Sequence, residues 1–189
     1  MPKKKKKDSY DDSWMYIMLL TTLTILTYSL STYTFKISSV SLTYSLFLLP
    51  ILYLIANYIT KKYGYGKTIA AIAISSISIV VFVLIMNFAL GKPTTITTFS
   101  SHFCALVVSQ FVNLLIYQYL ITGTKSPYIL IFLNYMFALV TFYMFYTLLY
   151  LNMIIIDGYW TGYFITLIIQ TFICIGLTYV DKKIKVGRE

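Results

Sequence analysis

Six long runs of this chain contain no Asp, Glu, Lys or Arg: Trp14–Thr34, Ser39–Thr60, Thr68–Leu90, His102–Gly123, Ser126–Leu151 and Trp160–Val180. A helix rising 1.5 Å per residue needs roughly 20 mainly apolar residues to cross a hydrocarbon layer about 30 Å thick. Each run meets that length. A soluble domain is excluded on the same ground, because 59% of the 189 residues are hydrophobic and only 11% are charged, against roughly 25% charged in soluble chains. The expected architecture is an all-α integral membrane protein, a bundle of six transmembrane helices. Residues 1–13 would form a basic N-terminal tail, 14–180 the six-span domain and 181–189 a basic C-terminal tail. The fifth run has the clearest start, with Ser126 as a cap and Pro127 at the first helical position, where its missing N–H costs nothing. The first run is not a cleavable secretory signal, being too long and followed by five more of the same kind.

The cations between the runs give an orientation, because Lys and Arg are retained on the cytoplasmic side. Lys3 to Lys7, Lys61, Lys62, Lys67, Lys125, Lys182, Lys183, Lys185 and Arg188 make thirteen on one side, and only Lys36 and Lys92 face the other. Both termini are therefore expected in the cytoplasm, with the chain in the cell (inner) membrane. The cations fall in short clusters separated by long uncharged stretches, unlike the continuous basic face of a nucleic-acid binder, so no nucleic-acid partner is expected.

No ionisable acid or base other than tyrosine and cysteine lies in the central part of any run. Ion-coupled pumps and channels commonly place a charge on the pathway. Intramembrane catalysis finds equally little support. The single histidine, His102, stands at a run end, and neither HExxH nor GxSxG occurs. The two cysteines, Cys104 and Cys174, have no metal-ligand spacing. We expect no enzyme activity, no metal and no cofactor.

What the interior does carry is amides and hydroxyls: Asn57, Asn87, Gln110, Asn113, Gln118, Asn134 and Gln170, with many Ser, Thr and Tyr. A single amide in a span is more often interhelical glue than a ligand contact. Several, however, share faces. Gln110, Asn113 and Tyr117 are spaced i, i+3, i+7, and Asn134 with Thr141 repeats a seven-residue step. Such a stripe suits a flat neutral heterocycle, whose edge pairs with the side-by-side donor and acceptor of an amide. Pro50 would remove one donor in the second run and let it bend near mid-membrane beside a cavity, or form a passive packing kink. The segment GKPTTITTFSSH reads as the one long polar loop, either an outer gate or simply solvated.

Two motifs add a resemblance. The segment PILYLIANYITKKYG, with Pro50, Asn57, Lys61, Tyr63 and Gly64, and the segment SQFVNLLIY, with Ser109, Gln110, Asn113 and Tyr117, are similar in order and spacing to signatures of the vitamin uptake transporter-like, or queuosine precursor transporter, family. A third block begins at Asn134. That family has carboxylates where this chain has Asn57 and Asn113, and a glutamate where it has Lys61. The resemblance implies six spans, cytoplasmic termini and import of a 7-deazapurine precursor of queuosine.

The expected function is thus import of a small neutral heterocycle. Asn57, Gln110, Asn113 and Asn134 would hydrogen-bond the solute, and Tyr58 and Tyr117 would stack on it or close over it. Two alternatives stay open: a substrate-binding membrane subunit of a multi-component ATP-driven importer, and a non-transporting membrane scaffold of transporter descent. The expected partners are the solute, the lipid bilayer, and either further copies of the chain or an energising partner, since GxxxxGK[ST] is absent from the chain.

Overall fold

The computed structural model describes residues 12–31, 33–37, 40–91, 96–122, 127–150 and 159–184. Six helices carry the fold: α1 (Ser13–Ser31), α2 (Leu48–Tyr63), α3 (Tyr65–Phe88), α4 (Ile96–Thr122), α5 (Tyr128–Tyr150) and α6 (Tyr159–Lys183). Five of them, all but α2, are long and apolar enough to cross a membrane. Their outward faces are apolar as well: Phe88, Tyr119, Phe172 and Met18 are each more than 65% exposed. A surface of that kind is stable against lipid and not against water.

The polar residues turn inward instead. On α1 the buried positions are Ser13, Ile17, Leu20, Thr24, Thr27, Tyr28 and Ser31, a stripe with steps of three and four. It packs against α3, whose buried face is Thr68, Ala71, Ile72, Ser75, Ile79 and Val83. Several of the buried hydroxyls are satisfied locally, whereas those of Thr21 and Tyr28 have no partner. Thr24 Oγ1 donates to the Leu20 carbonyl (2.7 Å), Thr27 Oγ1 to that of Leu23 (2.7 Å) and Ser75 Oγ to that of Ile72 (2.9 Å). A hydroxyl bonded to its own helix leaves nothing exposed to lipid, and small side chains let the helices approach closely.

The start of the second expected span is corrected. Residues 34–37 and 40–43 form a two-stranded antiparallel sheet, β1 (Thr34–Ile37) with β2 (Val40–Thr43). Its register pairs Thr34 with Thr43 and Lys36 with Ser41, and between them Phe35 with Leu42 and Ile37 with Val40. The pairs are alternately polar and apolar, the period of a strand rather than of a helix. Leu42 is buried, and the Phe35 ring lies 4.9 Å from that of Tyr44. A short 3-10 turn, Tyr44–Leu46, then leads into α2.

At 16 residues α2 is about 24 Å long, less than the hydrocarbon thickness. It is also the central helix, in contact with α1, α3, α4, α5 and α6, and it returns the chain from the strands to the end where Lys61 meets Asp181 and Lys62 meets Asp12. Pro50 is the third residue of α2. In the first turn its missing N–H has no intrahelical acceptor to lose, so it starts the helix and makes no mid-membrane kink. At the other end Gly64, at φ +91°, is the single residue between α2 and α3, and its N–H closes on the Thr60 carbonyl at 3.0 Å. That left-handed conformation favours glycine.

Two other expectations shift. The polar segment before His102 is largely helix, because α4 starts at Ile96, and Lys92–Thr95 lie outside the described residues. Helix α5 begins at Tyr128, with the Pro127 carbonyl accepting from the N–H of Ile131 (3.4 Å). Ser126 and Lys125 lie outside the described residues.

Candidate functional site

The amide stripe is assembled where α2, α4 and α5 meet. Asn57, Gln110, Asn113 and Asn134 are all completely buried. Asn134 Nδ2 donates to Asn113 Oδ1 (2.9 Å), and Asn113 Nδ2 donates to Asn57 Oδ1 (2.8 Å), so three helices are joined by one ladder of amides. Gln110 stands one turn along α4 from Asn113 on the same buried face. Neither its Nε2 nor its Oε1 has a hydrogen-bond partner, and Asn57 Nδ2 and Asn134 Oδ1 are also unpartnered. Leaving a buried polar atom unpaired costs about 1–3 kcal/mol. The ladder therefore holds itself together and still presents unspent donors and acceptors.

Below the ladder stands a carboxylate that sequence reasoning assigned to the tail. Helix α6 runs to Lys183, past the expected end at Val180, and Asp181 is only 1% exposed. Tyr117 Oη donates to Asp181 Oδ1 (2.7 Å) and Tyr135 Oη reaches Oδ2 (3.5 Å). Lys61 Nζ lies 3.7 Å from Asp181 Oδ1 and donates to the main-chain carbonyls of Asp181 (2.9 Å) and Ile184 (3.2 Å). One ammonium thus caps the C-terminus of α6, where the helix dipole favours a cation, and neutralises its buried acid.

Depth follows from helix rise. Asp181 lies within one turn of the end of α6. Asn57 and Asn134 are each six residues from the same end of α2 and α5, about 9 Å in, and Gln110 is about 18 Å in. A buried polar column therefore leads from the charged end of the bundle to its middle.

The sequence signal for Asp181 was the spacing Thr166, Gln170, Cys174, Thr178, Asp181, which is the buried polar stripe of α6. Tyr135, absent from the expected set, follows Asn134 directly.

Tyr117 joins the column as Asp181's donor. Tyr58 does not join it, and its expected role over the solute is corrected. One residue beyond Asn57 it is turned about 100° around the helix, and its hydroxyl donates to that of Tyr16 (3.2 Å). There the rings of Tyr16, Tyr58 and Tyr63 surround Lys62 Nζ at 5.1, 5.8 and 4.9 Å. Lys62 Nζ donates to Asp12 Oδ2 (2.8 Å), and Tyr63 Oη donates to Asp12 Oδ1. Those hydrogen bonds, from Lys62 first and Tyr63 second, hold the Asp12 carboxyl below its ordinary range.

Thr141 also stands apart from the stripe, bonded to the Phe137 carbonyl of its own helix (2.8 Å). His102 is 3% exposed in the second turn of α4, its ring 4.6 Å from that of Tyr146 and 6.2 Å from that of Tyr28. It is a packed aromatic neighbour rather than a residue at the edge of a loop. Compared with known proteins, the chain matches no family model, no curated protein and no solved structure.

Proposed function

We propose that the chain is an importer of a small neutral nitrogen heterocycle in the cell's inner membrane, with both termini cytoplasmic. The observation that carries this reading is Gln110: a fully buried amide near mid-membrane, one turn from a three-residue amide ladder, with both its donor and its acceptor unspent. A heterocycle edge that offers an acceptor beside a donor satisfies both atoms at once. The unpartnered Asn57 Nδ2 and Asn134 Oδ1 extend the same recognition toward the charged end. The sequence resemblance supplies the solute to try first, a 7-deazapurine precursor of queuosine.

The orientation rests on charge. Lys61, Lys62, Lys67, Lys182 and Lys183 gather at the end where α1 begins and α6 finishes, through contacts of Lys62 with Asp12, Lys67 with Ser13 and Lys61 with Asp181. Cations at one end favour the cytoplasm. Lys61, Asp181 and Tyr117 then tie α2, α6 and α4 together across the cytoplasmic exit, and release of the solute requires that tie to part. The sequence carries no GxxxxGK[ST] motif, and on this reading movement follows the solute gradient.

A second reading has its own support. Because the ladder amides satisfy one another, Asn57, Asn113 and Asn134 suit a structural role in a non-transporting scaffold. Uptake separates the two. Labelled 7-deazapurine precursors are offered to cells lacking their own route and expressing the wild type, Gln110→Ala or Asn113→Ala at matched membrane levels. The importer reading expects uptake with the wild type and its loss in both variants. No uptake by the wild type, or uptake unchanged in both variants, would leave the scaffold.

A further inference from the structure

On the lipid-facing side of α5 and α6, apart from the polar column, lies a groove of about 310 Å³ lined by Tyr128, Ile129, Phe132, Ile175, Thr178 and Tyr179. Its one hydroxyl at depth, that of Thr178, is spent on the Cys174 carbonyl (2.7 Å), so the walls offer apolar contact alone. Two ammonium groups stand at its charged end. Lys182 Nζ sits 5.5 Å from the ring centroid of Tyr128 and Lys183 Nζ 4.6 Å from that of Tyr179, and both rings belong to the groove. Among the described residues neither ammonium is ion-paired, since Asp181 is taken by Lys61 and Asp12 by Lys62.

We infer that this groove holds an acyl chain of an anionic phospholipid whose phosphate lies between Lys182 and Lys183. The groove and the two ammonium groups match the two parts of such a molecule. An acyl chain alone would leave the two ammonium groups without an anion, and a free phosphate would leave the groove unfilled. The volume falls at the lower end of the range for ligand pockets, about 300–1,000 Å³, as suits one tail with the rest of the lipid in the bilayer. Tyrosine rings beneath the ammonium groups hold the cations at the level of the headgroups by cation–π attraction. The site stands whether or not the polar column carries a solute.

The test uses the full chain purified in mild detergent and given equal amounts of phosphatidylglycerol and phosphatidylcholine with the same acyl chains, the retained lipid being read by native mass spectrometry. Phosphatidylglycerol is expected to be preferred by about 30-fold, the ratio that two lysines give at about 1 kcal/mol each near a membrane surface. The double variant Lys182→Gln, Lys183→Gln is expected to lose that preference. Ile175→Trp, which crowds the groove without changing charge, should lower retention of both lipids, and glycerol phosphate alone should not compete. Lys67→Gln removes a cation at the same end of the bundle, on α3, and should leave the preference intact. Equal retention of the two lipids by the wild type would overturn the inference. So would an equal loss in Lys67→Gln, which would mean diffuse attraction, undiminished retention in Ile175→Trp, or a dimer that excludes lipid.

Discussion

The α1/α3 pair and the cluster of α2, α4, α5 and α6 both bury polar side chains among apolar ones, but they spend them differently. In α1 and α3 the hydroxyls of Thr24, Thr27, Ser75 and Ser76 bond to carbonyls of their own helix. In the cluster hydroxyls such as Ser109 and Thr178 do the same, but a further set of polar groups crosses between helices: Asn134 to Asn113, Asn113 to Asn57, Tyr117 to Asp181, and Tyr53 Oη to the Ala138 carbonyl at 3.3 Å. A hydroxyl folded back on its own turn is indifferent to how the neighbouring helix slides. An amide that reaches across fixes the register, and its loss leaves a partner unpaired in a medium that cannot hydrate it.

That contrast ranks the consequences of substitution. Asp181→Ala should be the most damaging, since it removes the acceptor of Tyr117 and Tyr135 and leaves Lys61 without its carboxylate. A loss of about 3 kcal/mol is expected, near the lower limit for breaking a buried ion pair because Lys61 can still reach water. Unfolding titrated with SDS from mixed micelles would show it, and a loss below that of Asn113→Ala would erase the ranking. Asn113→Ala breaks two interhelical bonds at once and should cost about 2 kcal/mol, against about 1 for Asn57→Ala or Asn134→Ala. A double-mutant cycle between positions 57 and 134 checks whether the ladder acts as a unit. Thr24→Val and Ser75→Ala, on the other side of the comparison, should each stay within about 0.5 kcal/mol of the wild type.

The smallest effect lies at the charged end of the bundle. Asp12 is held below its ordinary value of 3.8 by Lys62 and Tyr63, so its contribution is fully present above that pH and is lost as the pH falls through the lowered value. Stability measured from about pH 6 to about pH 2 should therefore bring the wild type and Asp12→Asn together only at the acid end.

Much of this was legible in the sequence, and the exceptions have physical causes. Five helices long and apolar enough to cross a membrane were readable because apolar length is the requirement a bilayer imposes. The spacing of Gln110, Asn113 and Tyr117 placed one buried polar face on α4 because helical period decides which side chains share a side. The strand pair was hidden by hydropathy, which counts apolar residues and ignores their alternation in TFKI and VSLT. Asp181 was hidden by its neighbours Lys182 and Lys183, which read as a solvated tail. Only the spacing from Gln170 through Cys174 and Thr178 shows that it faces inward. The segment before His102 read as a loop because Thr and Ser look hydrophilic by composition, yet in α1 and α3 such hydroxyls are satisfied inside a helix at no cost to the span.

The central claim, that the unspent amide of Gln110 is there for a solute, is most directly tested by equilibrium binding of a 7-deazapurine to the purified chain in lipid nanodiscs, with Gln110→Leu beside it. Replacing an unpartnered buried amide with an apolar side chain of similar size should raise stability by about 1 kcal/mol. This variant is expected to be more stable than the wild type and no longer to bind the heterocycle. Binding that survives the substitution, or a wild type that binds no heterocycle at all, would contradict the claim.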